Sequence, residues 1–213
     1  MNKNIFNELK FKTITKLISD IKNPNILELG VQSGLSTKKF LEICDKNNGY
    51  LTSIDINDCS SVSKNKRWKF IHSSDDDFEH IKKEIENKNF DILFIDSLHE
   101  PNHIKKVFYF YFNYLKKGGL IFVDDVVWLP YIKNSIIDNE YVERINRLIF
   151  EKIIEIFNAN SENLTLDINF SGTGLAIIKK IGEKLNNEKK IANRLFSLKN
   201  IIKNYIYSPK PKN

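Results

Sequence analysis

The sequence predicts an α/β protein built on a doubly wound, mostly parallel sheet of seven strands, with helical additions at both ends. Three observations carry this expectation. An apolar run, Ile26, Leu27 and Leu29, ends in Gly30, four residues before Gly34, and then opens into a helical pattern. Apolar strand-like runs alternate with helical patterns along the chain, and Phe90 to Ile95 reads as a central parallel strand buried on both faces. Two of the central strands end in aspartate, at Asp96 and at Asp124-Asp125.

With 213 residues, 41% hydrophobic and 28% charged, the chain has the make-up of a globular protein with one large domain. We place that domain at residues 1–183, with 1–22 as a helical cover and 184–213 as a basic amphipathic helix or tail. From Lys184 on there are eight Lys or Arg and one acidic residue, leaving 25 basic and 26 acidic groups in residues 1–183. The main domain is therefore near neutral, which argues against a nucleic-acid-binding face. No apolar stretch approaches the ~18 residues of a membrane span, and the N-terminus lacks a signal-peptide core. Two cysteines, Cys44 and Cys59, form no motif, so a reduced, cytoplasmic setting is expected.

Taken in order, Ile5, Leu9, Phe11, Ile14, Leu17 and Ile18 fall near helical spacing and predict a first helix, ended by Asn23-Pro24-Asn25. The first strand and the glycine turn follow, with Ser36 or Thr37 as cap of the next helix. Tyr50 to Asp55 reads as the second strand. Asp55 lies 21 positions after Gly34, where a strand-end acid can accept both ribose hydroxyls of a nucleoside. A solvated strand-end Asp is the alternative. Trp68 to His72 is the third strand, leading into Ser73 to Phe78, where Ser74 or Asp75 caps a helix reaching Glu86 or meets a ligand. After the fourth strand a helix is expected from Ile104 to Lys116, stopped by Lys117-Gly118-Gly119, and then a fifth strand, Leu120 to Val123. Residues 129–140 read as a lid-like connection, followed by a helix from Tyr141 to Asn158. Two closing strands lie within Leu164 to Ile178.

The turn is E-x-G-x-x-x-G, at Glu28, Gly30 and Gly34. It lacks the middle glycine of a dinucleotide fingerprint and the G-K-[ST] of a triphosphate loop. It resembles motif I of the class I S-adenosylmethionine (SAM)-dependent methyltransferases. The resemblance implies their Rossmann-like fold and SAM as cofactor. It also implies a cofactor site drawn from Glu28, Gly30, Gly34, Ser36, Asp55, Ser74, Asp75 and Asp96, and an antiparallel last pair of strands at the sheet edge. Leu120 to Trp128 is similar to the strand-five segment of catechol and caffeoyl-CoA O-methyltransferases, with Asp125 in place of their Asn. Phe94-Ile95-Asp96-x-x-His99 resembles the metal-dependent sugar O-methyltransferases of macrolide biosynthesis and the cephalosporin-hydroxylase-like group, with Ser97 in place of the usual Gly. These likenesses imply Asp96, Asp124 and Asp125 as ligands and His99 as base.

The residues agree with that chemistry. Carboxylates at neighbouring strand ends repel unless a cation sits among them, and hard oxygen ligands suit Mg²⁺, Ca²⁺ or Mn²⁺. Such an ion acidifies a bound hydroxyl, and a positioned His or Asp takes its proton. The expected reaction is O-methylation of a sugar, glycan or other small-molecule hydroxyl. Two alternatives stay open: a metal-independent enzyme using Asp96 or His99 as base, and a non-catalytic subunit on the same fold. His99-Glu100-Pro101-Asn102-His103 also spells the zinc-protease motif H-E-x-x-H, but Pro101 belongs at a helix start and would leave His99 outside the helix. In the tail, Ile191, Leu195, Leu198, Ile202, Tyr205 and Ile206 recur at helical spacing among basic residues. That pattern fits packing on the domain or on a partner subunit, peripheral contact with an anionic membrane, or a loose tail touching acidic partners or nucleic acid.

Overall fold

The structure, a computed structural model, describes residues 3–86, 89–128, 139–191, 198, 199 and 202. Twelve elements follow in order: α1 Lys3–Ile18, β1 Asn25–Leu29, α2 Leu35–Asn47, β2 Tyr50–Asp55, β3 Trp68–His72, α3 Phe78–Glu84, β4 Phe90–Ile95, α4 Pro101–Phe112, β5 Leu115–Asp124, α5 Glu140–Asn160, β6 Leu164–Asn169 and β7 Leu175–Lys180. They form one seven-stranded sheet in the order β3-β2-β1-β4-β5-β7-β6. Strands β1 to β5 run parallel. β7 enters antiparallel between β5 and β6, as expected of the closing pair.

The alternation of side chains along the strands builds two cores. Ile26, Ile92, Phe94 and Phe122 face α1 and α2, and pack with Ile14, Ile18, Phe40 and Cys44. Leu27, Leu29, Leu93, Ile95, Ile121 and Val123 face the other way, against α3, α4 and α5. Both faces are therefore covered, which is why these strands read as continuous apolar runs. On the α1 side Phe40 stacks edge-on with Phe11 and Phe94, at centroid distances of 5.5 and 5.3 Å. Because β1 lies between β2 and β4, the chain winds away from it in both directions. In open α/β sheets that switch point, at the carboxyl ends of the strands, is where a ligand crevice lies.

Several boundaries differ from expectation. α4 ends at Phe112, and the Lys117-Gly118-Gly119 segment belongs to β5, which pairs with β4 from Leu115 on. The Asn113 side chain turns back to the carbonyls of Tyr109 and Phe110 and closes the helix early. The buried Lys180 ammonium donates to the carbonyls of Phe112 and Leu115, satisfying the helix end. α3 is capped by Asp77, whose carboxylate accepts from the His80 N–H, and not by Ser74 or Asp75. α2 begins at Leu35 after Gly34, so Ser36 and Thr37 lie inside it and cap nothing. Pro101 opens α4, and Glu100 caps it by accepting from the His103 N–H at 2.7 Å.

The expected lid, residues 129–140, lies outside the described residues except for its last two. The expected tail helix lies outside them too, apart from Leu198, Lys199 and Ile202, which are helical. Ahead of it, Asn186 exchanges hydrogen bonds with Asn160 of α5, and Glu188 pairs with Lys105 of α4. Among the described residues no helix is long and apolar enough to cross a membrane.

Candidate active site

Five strand ends meet at the crevice. The Gly30 N–H donates to the Ile54 carbonyl and the Asp96 N–H to the Leu29 carbonyl, both at 2.9 Å, which sets the ends of β1, β2 and β4 side by side. Gly30 has φ +93°, and a Cβ there would overlap the Asp96 carbonyl oxygen. Only glycine lets the turn lie this close to β4. Gly34, with φ +75°, starts α2 against Val62 in the same way.

Asp55 ends β2 and grips the turn. Its Oδ2 accepts from the N–H groups of Val31 and Gln32 at 2.8 and 3.0 Å. Its Oδ1 accepts from the Asn57 N–H at 2.8 Å and from Asn57 Nδ2 at 3.3 Å. Burial opposes its charge, but the backbone donors of Asn57, Gln32 and Val31 outweigh it and hold the carboxyl below its usual range.

Glu28 is fully buried between β1 and α2. Its Oε2 accepts from Thr37 Oγ1 at 2.9 Å and Ser53 Oγ at 2.6 Å, and Ser53 accepts in turn from Trp68 Nε1 at 2.9 Å. Burial pushes its carboxyl up to about 7, against the pull of the Ser36, Ser53 and Thr37 hydroxyls. Glu28 thus holds the turn from below, and Ser36 sits beside it, 8% exposed.

Beyond β3, Ser74 donates to Asp76 at 2.6 Å. Asp75 is buried. Its Oδ2 accepts from Ser97 at 2.6 Å, its Oδ1 lies 2.9 Å from His103 Nε2, and its carbonyl accepts from Tyr111 at 2.7 Å. The Asp75 carboxylate raises the His103 pKa against the effect of burial. This His103–Asp75–Ser97 chain ties α4 to the loop after β3 and to the end of β4, and the sequence reading did not anticipate it. It also separates the two histidines of the H-E-x-x-H motif, since His99 faces a different set of carboxylates.

That second set is the acid cluster. His99 Nε2 lies 3.5 Å from Asp96 Oδ1 and 3.3 Å from Asp125 Oδ2, and hydrogen-bonds to neither. Asp125 has φ +57°, and its N–H reaches back to Asp124 Oδ1 at 2.8 Å. Asp96 is held well above the usual carboxylate range, first by desolvation and then by its neighbours Asp124 and Asp125. Lys10 of α1 enters this cluster. Its Nζ lies 2.6 Å from both oxygens of Asp124, 3.1 Å from Thr173 Oγ1 and 3.9 Å from Asp125 Oδ1. Burial opposes the ammonium charge, but Asp124, Asp125 and more distant Asp96 outweigh it and raise its pKa. Lys10 was not among the expected site residues. It falls four and eight positions before the buried Ile14 and Ile18, which puts it on the inward stripe of α1.

The expected site residues thus form two neighbouring groups. Glu28, Gly30, Gly34, Ser36 and Asp55 build the turn, with Ser74 and Asp75 across the crevice. Asp96, His99, Asp124 and Asp125 build the cluster, with Lys10 inside it. The turn suits a nucleoside, offering bare backbone beside an ionised strand-end acid. The cluster as arranged suits an ammonium better than a divalent ion, because Lys10 takes both oxygens of Asp124. Among the described residues, the only three His, Cys, Asp or Glu side chains with ligand atoms mutually within 4.8 Å are Asp75, Asp76 and His103.

Residues 27–126 match a family model described as a methyltransferase domain. A search of the curated proteins finds no match. Among solved structures, a Staphylococcus aureus protein provisionally assigned as a caffeoyl-CoA O-methyltransferase is similar over 81% of this chain and 83% of its own, at 24% identity and a TM-score of 0.61. MycE from the mycinamycin biosynthetic pathway, in complex with Mg and SAH, is similar over 85% of this chain at 20% identity and a TM-score of 0.61; the match spans about half, 51%, of MycE. The Podospora anserina methyltransferase PaMTH1, bound to SAH, matches over 82% of this chain and 79% of its own, at 15% identity and a TM-score of 0.63. The match spans the glycine turn and both Asp-ended strands, so on this sheet order residues 27–126 are similar to a methyltransferase domain.

Proposed function

We propose that the chain transfers the methyl group of SAM to a hydroxyl of a small molecule, with sugars the first acceptors to try. The observation that carries this is the adjacency of the two groups: the nucleoside-type turn and the Asp96–His99–Asp125 cluster meet at one crevice, across the ends of β1 and β4. SAM supplies a sulfonium methyl group; the acceptor oxygen forms its bond to that carbon as the carbon–sulfur bond breaks and the electron pair returns to sulfur. The protein supplies orientation of two reactants and a place for the acceptor proton.

Asp55 would take the ribose hydroxyls. Its four N–H contacts already fill a carboxylate's acceptor sites, so the ribose displaces the longest of them, Asn57 Nδ2 at 3.3 Å. The acceptor proton goes to Asp96 or His99, whose nearest oxygen and nitrogen lie 3.5 Å apart. Two readings of acceptor activation follow. In the first, Asp96, Asp124 and Asp125 would hold a divalent ion, which would acidify the acceptor hydroxyl; the MycE structure is a complex with Mg. In the second, the pair works without metal, and the grip of Lys10 on Asp124 favours it. We place the activity in the cytoplasm, in keeping with two unpaired, buried cysteines. The test is transfer of labelled methyl from SAM to a panel of sugars, glycosides and catechols, with and without EDTA. Transfer to none of them, under conditions where SAH binds, would remove the small-hydroxyl reading.

A further inference from the structure

We propose that Lys10 is the resident cation of the acid cluster, an ammonium carried on α1 in the place of a divalent ion. The inference rests on the reading of this cluster as the acceptor end of a methyltransferase site. Its ground is coordination. An ammonium has three N–H donors, and Lys10 has three oxygen partners at bonding distance: Asp124 Oδ1, Asp124 Oδ2 and Thr173 Oγ1. Lys10 is 5% exposed and Asp124 is 6% exposed, so both charges are withdrawn from water and each depends on the other.

The arrangement is fixed from both sides. On α1, Ile14 and Ile18 are fully buried on the same stripe as Lys10, and Phe11 lies 6.0 Å from Phe94 of β4. Around Asp124, the Asp125 N–H takes Oδ1 at 2.8 Å, and Asn146 of α5 holds the carbonyls of Val127 and Thr173 at 3.0 and 3.4 Å. A divalent ion at Asp124 would need Lys10 to leave, stranding a buried ammonium beside a second positive centre. Lysine and metal are therefore mutually exclusive at this carboxylate. Lys10 is a positioning residue: it fixes Asp124 and leaves Asp96, Asp125 and His99 to face the acceptor.

The experiment is Mn²⁺ titration followed by electron paramagnetic resonance, on the full chain with SAH present. Wild type, Asp124→Asn, Lys10→Met and the double variant Lys10→Met/Asp124→Asn are compared. The wild type is expected to take up no Mn²⁺ saturably below about 1 mM, the weak end of protein sites for hard cations. Lys10→Met keeps most of the length of the side chain, removes the charge and is expected to bind Mn²⁺ about tenfold more tightly or better; Asp124→Asn in the same chain abolishes the gain. Saturable Mn²⁺ in the wild type that Asp124→Asn removes would overturn the proposal. A Lys10→Met protein that is folded by circular dichroism and takes up no Mn²⁺ overturns it as well. If Lys10→Met does not fold, the wild-type and Asp124→Asn titrations decide alone. SAH binding, measured separately, tests the methyltransferase reading and is independent of the Mn²⁺ result.

Discussion

Replacing Gly30 by Ala tests how tightly the turn must lie against β4. The backbone at Gly30 has φ +93°, and an added Cβ would overlap the Asp96 carbonyl oxygen, which is rigid strand-end backbone. The left-handed conformation alone costs an L-residue about 1–2 kcal/mol. Forcing a methyl group into filled space adds about 1–3 kcal/mol. Gly118 is the internal reference, because it too has positive φ, +84°, yet a Cβ there would meet nothing within 4 Å. Gly118→Ala therefore carries the conformational cost without the overlap, and the loss of unfolded-chain freedom is common to both variants. Urea unfolding should show Gly30→Ala weaker than Gly118→Ala by about 1–3 kcal/mol, with unchanged slope. SAH binding should fall only in Gly30→Ala, since spreading β1 from β4 opens the crevice. Equal destabilisation of the two variants would refute the close approach of the turn to β4.

Three further outcomes follow from the site. Glu28 has a folded pKa of about 7 against an unfolded value near 4.5, so the native state holds the extra proton in that window and loses stability as pH rises through it. The loss is on the order of 3 kcal/mol, and Glu28→Gln should flatten that part of the stability–pH curve; an unchanged curve contradicts the buried, protonatable acid. Lys10→Met and Asp124→Asn should each cost about 3–5 kcal/mol in urea unfolding, because each strands a buried charge, whereas the double variant should cost less than their sum. Simple additivity would mean the pair does not form. His99→Ala should lower the methyl-transfer rate by about 10²–10⁴-fold while leaving SAH affinity within about twofold; a rate unchanged in this variant removes His99 from the proton path.

The centre of the sheet was legible because β1, β4 and the Ile121–Val123 part of β5 are buried on both faces and largely apolar, with Gly30, Asp96 and Asp124 at their carboxyl ends and Asp55 at that of β2. Local signals misled where a tertiary contact decided the outcome. Lys117-Gly118-Gly119 reads as a helix stop, yet Asn113 ends α4 earlier and β4 pairs with the chain from Leu115 on. Ser36 and Thr37 read as caps, yet Gly34 takes that place and Thr37 serves Glu28. In the site, the carboxylates were visible because they sit at strand ends. Lys10 was not, because a lysine between apolar residues of an amphipathic helix is ordinarily solvated. Its partner lies 114 residues away, and only the sheet order brings Asp124 under α1. The Asp75–His103 pair was hidden for a similar reason: the two residues are joined by the packing of α4 against the loop after β3.

The most direct measurement is calorimetric titration of SAH into the full chain, repeated with Asp55→Asn and with the fold of each checked by circular dichroism. The account predicts saturable, micromolar-range binding at one site, weakened at least about tenfold in the variant as a charge-assisted acceptor for the ribose is lost. Absence of SAH binding to the folded wild type, or equal binding by folded Asp55→Asn, would contradict the assignment of this crevice as the cofactor site.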